Sequence, residues 1–105
     1  MNNLMNEGTL KVIREAVITI PGLMSFAEVD KESGVVNATT SIDKAIEISI
    51  TEKIHRLKIH IILMNGVNIK DVVTEVQIRV KYELEKLSNF TNSYYVDVAV
   101  DDLAK

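Results

Sequence analysis

A chain of 105 residues is the size of one domain, and with 47% hydrophobic and 26% charged residues it can bury a core and is not a disordered polymer. A net charge of −3, with no cluster of Lys and Arg, argues against a nucleic-acid partner held by phosphate neutralisation. The lack of cysteine removes disulfide and thiolate chemistry. No apolar run approaches the ~20 residues of a membrane span, so direct membrane insertion is not expected.

Residues 1–8 are polar and are expected to fray. They lack the basic start and long apolar stretch of a signal peptide, which predicts a cytoplasmic protein. Thr9 can cap a helix running to about Ile20, with Leu10, Val12, Ile13, Ala16, Val17 and Ile20 on its apolar arc. The β-branched run Val17-Ile18-Thr19-Ile20 makes a strand the competing reading there. Pro21-Gly22 ends the element in either case.

Residues 23–43 show no clear period. Phe26 is expected under the sheet, Asp30-Lys31-Glu32-Ser33-Gly34 reads as a turn, and residues 35–41 read as a short edge strand or an ordered loop. Residues 45–51 alternate cleanly, with Ile46, Ile48 and Ile50 on one face and Glu47, Ser49 and Thr51 on the other. Residues 51–56, with His55 among them, are expected to turn the chain back into a second alternating strand at 57–64.

Asn65-Gly66 breaks that strand, because glycine accepts backbone angles that other residues avoid. Asn68 is placed to cap a helix, and Asp71 adds negative charge where the helix dipole favours it. From Ile69 the apolar residues Val72, Val73, Val76, Val80, Leu84 and Leu87 fall at spacings that make one stripe. Asn65, Gly66 and Asn68 are thus expected to form a structural turn. Ile78 and Tyr82, four residues apart, point nearly opposite the stripe. Two scattered surface residues would be unremarkable. The alternative is a partner-contact surface of Ile78 and Tyr82 flanked by Glu75, Arg79 and Glu85.

After a loop at 91–93, residues 94–100 read as a last strand with Val96, Val98 and Val100 inward, and 101–105 as a polar tail. The expected fold is α+β in the order α-β-β-α-β. It is a three-stranded mixed sheet with two helices packed on one face, and with the last strand parallel to residues 57–64. The bare face would carry Glu47, Ser49, Lys58, His60, Ile62, Met64, Tyr95, Asp97 and Ala99, and residues 9–100 would form the single domain.

Chemistry-bearing patterns are missing. His55 and His60 are the only histidines. No His/Cys/carboxylate spacing suggests a metal site, and His60 reads as a solvated side chain. Glu83 and Glu85 form a solvated helix face, while Asp97, Asp101 and Asp102 read as solubilising. No phosphate loop or nucleophile elbow is present, so no catalytic residue, cofactor or metal is expected. A KH-like nucleic-acid-binding domain has a similar mix of elements but needs a G-x-x-G loop, and Gly66 has no second glycine three residues on.

Across Met64-Asn65-Gly66-Val67-Asn68-Ile69-Lys70-Asp71-Val72 the chain resembles the alkaline shock protein family of Gram-positive bacteria and their relatives. Members show an alternating strand ending at a glycine, then Val-Asn-Ile-Pro-Glu-Val or similar. Val76-Gln77-Ile78-Arg79-Val80-Lys81 matches the family's Val-Gln-x-x-Val-Lys. Val96-Asp97-Val98-Ala99-Val100 is similar to its Val-Asn-Val-His-Val strand, and Ile20-Pro21-Gly22-Leu23 to its Val-Pro-Gly-Val. Lys70 stands where proline is common and Asn65 where tyrosine is common. The resemblance covers most of residues 9–100. It implies a non-enzymatic cytoplasmic protein linked to envelope stress or cell-envelope homeostasis. It also implies self-assembly, or contact with another protein that in some members is membrane-anchored, so that association with the membrane runs through a partner.

Overall fold

The computed structural model describes residues 6–51, 54–89 and 92–104. Helix α1 (Glu7–Ile18) starts at Asn6, whose side-chain oxygen accepts from the Thr9 N–H at 2.8 Å. A short polar side chain just ahead of the first turn satisfies an otherwise orphan donor. The helix therefore begins upstream of Thr9, and residues 6–8, expected to fray, form its cap and first turn. Residues 1–5 of the expected frayed segment lie outside the described residues. The helix stops at Ile18, and Ile20 folds under as a buried residue. Gly22 then turns the chain at φ +94°, in the left-handed region.

Strand β1 (Leu23–Val29) pairs antiparallel with β2 (Val36–Thr39). Between them, Asp30 Oδ1 accepts from the N–H groups of Glu32 at 2.8 Å and Ser33 at 3.1 Å, as the composition of that turn predicts. These bonds, Ser33 first and Glu32 next, hold the Asp30 carboxyl below its ordinary value. A single helical turn, α2 (Ile42–Ala45), buries Ile42 and Ala45 at the margin of the core and leads directly into β3 (Ile46–Thr51).

Strand β4 (Ile54–Met64) is the centre of the sheet. On one edge it pairs with β3 over Ile54–Ile59, and further along the same edge with β1, where Phe26 faces Ile61. On its other edge it pairs parallel with β5 (Ser93–Ala104) along its whole length. The expected three-stranded sheet is therefore corrected to five strands, with three antiparallel pairings and one parallel. The reason is length: 11 residues make a strand of roughly 36 Å, enough to seat two short strands end to end on one edge. His55 lies within β4 rather than in a turn, and residues 52–53 of the expected turn lie outside the described residues.

Residues 101–104, expected to be a polar tail, belong to β5. The ladder slips by one residue between Ile61 and Ile62, leaving Asp101 as the extra residue, then continues until Asn65 N–H donates to the Ala104 carbonyl at 3.0 Å. Residues 90–91, partly in the expected loop, and Lys105 lie outside the described residues.

Helix α3 (Ile69–Leu87) follows the turn, where Gly66 sits at φ +90° and Asn68 Oδ1 accepts from the Asp71 N–H at 3.1 Å. Its stripe Val72, Val76, Val80 and Leu84 is buried against Leu57, Ile59, Ile61, Leu63 and Val96, joined by Ile13 and Val17 of α1. Both long helices thus cover one face of the sheet. Leu87 drops out of the expected stripe and is 53% exposed at the helix end. Gln77 donates its side-chain amide to the Val96 carbonyl at 3.1 Å and ties α3 to β5. On the bare face Ile62 is only 8% exposed, so this member of the expected open surface is buried. It lies in register between Ser25 of β1 and Asp102 of β5, and the Ser25 hydroxyl is buried without a partner among the described residues.

Candidate functional site

Two places gather side chains outside the hydrophobic core. The first is a groove of about 430 Å³ between α1 and α3, lined by Val12, Glu15, Ala16, Ile78, Arg79, Tyr82 and Glu83. The helical period creates it. Burying Val76 and Val80 rotates Ile78 and Tyr82 to the solvent side, where they are 59% and 53% exposed. Val12 and Ala16, half-buried beside the core face of α1, form the opposite wall.

The charges around this groove are engaged with one another. Arg79 Nε donates to Glu75 Oε2 at 2.7 Å, and Arg79 Nη1 donates to Thr19 Oγ1 at 3.1 Å. Lys86 reaches Glu83 at 3.2 Å and also lies over the Tyr82 ring, 5.4 Å from its centre. Lys11 and Glu15 pair at 3.9 Å. Exposed pairs of this kind add little stability. Their effect is to leave an apolar strip within a rim whose charges offset each other. Of the residues expected at a contact surface, Ile78, Arg79 and Tyr82 line the groove and Glu75 borders it through Arg79. Glu85 lies off it, paired with Lys81 at 3.8 Å. Asn65, Gly66 and Asn68 form the β4–α3 turn and take no part in it.

The second place is on the bare face of the sheet. His60 Nδ1 lies 2.7 Å from Asp101 Oδ2, and His60 Nε2 lies 2.5 Å from Glu47 Oε2. The carboxylates come from β5 and β3, the strands on either side of β4. The His60 and Asp101 side chains are shielded, 12% and 15% exposed, whereas Glu47 is 54% exposed. The bond from His60 is the main cause that lowers the Glu47 carboxyl from its ordinary value, aided by the charges of His60, Lys58 and Lys31 against some desolvation. Further along the same face, Arg56 stacks over the Tyr95 ring at 5.0 Å.

His60 is therefore not the solvated side chain that the sequence suggested. Alternation alone put Glu47 and His60 on one face. Asp101 escaped notice because it was assigned to a tail and because the slip in β5 turns it toward His60. The group does not chelate: the two carboxylates sit at opposite ring nitrogens, so no single ion touches all three. Among the described residues no set of three or more His, Cys, Asp or Glu side chains is arranged to hold a metal ion. His55 meets Tyr94 edge-on, ring centres 4.9 Å apart.

No helix among the described residues is long and apolar enough to cross a membrane. No family model, no curated protein and no solved structure matches this chain.

Proposed function

We propose that this chain is a non-enzymatic interaction module that acts by self-association or by contact with another protein. The α1–α3 groove is its contact surface. The observation that carries the reading is the pair Ile78 and Tyr82: two large apolar groups, each more than half exposed, side by side on a helix that already has a full buried stripe. Polar residues there would favour solubility at no cost to the core. Tyrosine suits a contact because it offers apolar area and a hydroxyl with few rotors to freeze. The role that the motif resemblance implies, a cytoplasmic protein of envelope stress or homeostasis of the alkaline shock type, fits such a module and is part of the proposal.

Sedimentation velocity and recovery of bound protein, measured on wild type and on Ile78→Ser/Tyr82→Ser, test it. The double variant should melt within a few degrees of wild type, since the exposed pair supports no core. Its association should fall. A variant that melts much lower yet associates as before would assign the pair to the fold and remove the surface. Tight RNA binding that weakens steeply with salt would favour the KH-like alternative instead.

A further inference from the structure

The contacts of His60 are more than the proposed module needs, and they do not touch its groove. A neutral imidazole carries one N–H and one lone pair, so it can donate to one carboxylate only. The other carboxylate would then face a lone pair, acceptor against acceptor. At 2.7 Å on Nδ1 and 2.5 Å on Nε2, both nitrogens are within donating distance of carboxylate oxygens. Only the doubly protonated ring satisfies both.

We propose that His60 is a pH-operated clasp that ties β3 to β5 across β4 while its ring holds both protons, and that frees β3 when one proton is lost. The two bonds are not equivalent. Asp101 is shielded, and a neutral ring can keep donating to it from Nδ1. The Glu47 bond faces solvent and is the one that breaks. Strand β3 is the element that depends on it, because among the described residues β3 pairs only with β4 and its far end, Ser49 to Thr51, is exposed.

Two lysines also face Glu47. Lys58 of β4 and Lys31 of the β1–β2 turn both attract Glu47 and draw it off once the ring is neutral. Asp97 of β5 lies in register with Lys58, and the β5 residue in register with His60 is the uncharged Ala99. The helices pack on the opposite face.

The sign follows from each partner. The ring with both protons donates to both carboxylates, and the ring with one proton leaves one of them facing a lone pair. Glu47, held below its ordinary 4.5, supplies its part above the usual carboxylate range and loses it only as pH falls through the lowered value. The clasp is closed while the ring holds both protons and opens when one is lost.

Amide exchange by NMR on the full chain, corrected for the intrinsic chemical rate, tests this at about pH 5 and about pH 8. Protection of the β3 amides should fall roughly tenfold between the two, the scale of one charge-assisted hydrogen bond, while β5 amides beside β4 hold. Nitrogen shifts of the His60 ring should report two bound protons at the lower pH. In Glu47→Gln, which leaves the shielded Asp101 contact in place, β3 protection should no longer follow pH. In His60→Gln it should be low throughout. Protection of β3 that stays flat in wild type, or the same fall in Glu47→Gln, would overturn the clasp. So would a ring with a single proton at the lower pH.

Discussion

Gly22 and Gly66 both sit at positive φ, +94° and +90°, but for different reasons. Around Gly66 there is open space, so a side chain there meets only backbone strain. A Cβ on Gly22 would lie 3.1 Å from Val67 Cγ1 and 3.2 Å from Val72 Cγ2, strained and crowded at once. In chemical denaturation Gly66→Ala should cost about 1–2 kcal/mol, the penalty of the left-handed region, and Gly22→Ala clearly more. Equal losses would show that Val67 and Val72 give way freely. The sequence announced Gly66, because Asn-Gly after an alternating strand is a local signal. It marked Gly22 only as the end of an element, since the crowding comes from residues far along the chain. The same contrast separates Asn68, whose capping bond closes within one turn, from His60, whose partners arrive from two other strands.

At the level of elements, α3 was legible because its buried stripe Val72, Val76, Val80 and Leu84 repeats every four residues. Val80 is fully buried in it. Val80→Asp would place a carboxylate without a partner in the core and should abolish the cooperative melt, whereas Asp at the exposed Thr74 of the same helix should shift it little. A melt unchanged by Val80→Asp would mean that α3 faces the sheet differently. Strand β1 was not legible, and the register shows why. The irregularity between Leu23 and Ser25 puts Leu23 and Phe26, three residues apart, on the same core side, so period-two alternation never appears. Helix α2, at four residues, is too short to show any period. Strand β5 was cut short for the reason β1 was missed: the slip after Val100 breaks its alternation just where Asp101 and Asp102 follow.

For the whole molecule, the patterns revealed which stretches alternate but not how many of them one strand can seat. Local spacing carries no information on whether two strands line up along a single edge. In the fold, β4 is hydrogen-bonded to β1, β3 and β5, and only β2 stands apart from it. Amide exchange should therefore be slowest in β4, opening only with global unfolding, and fastest in β2, the outermost strand. Comparable rates in the two would show that the sheet does not open from its rim. The position of β4 in the chain also bears on synthesis. A polypeptide emerging N-terminus first presents α1, the β1–β2 hairpin and β3 before the strand that joins them exists. Until residues 54–64 have emerged, β1 and β3 lack their common partner, and the apolar side chains Ile13, Val17 and Phe26 have no sheet to close against. The nascent chain is thus most vulnerable to wrong association in its first half, and the order of synthesis places its stabilising centre late.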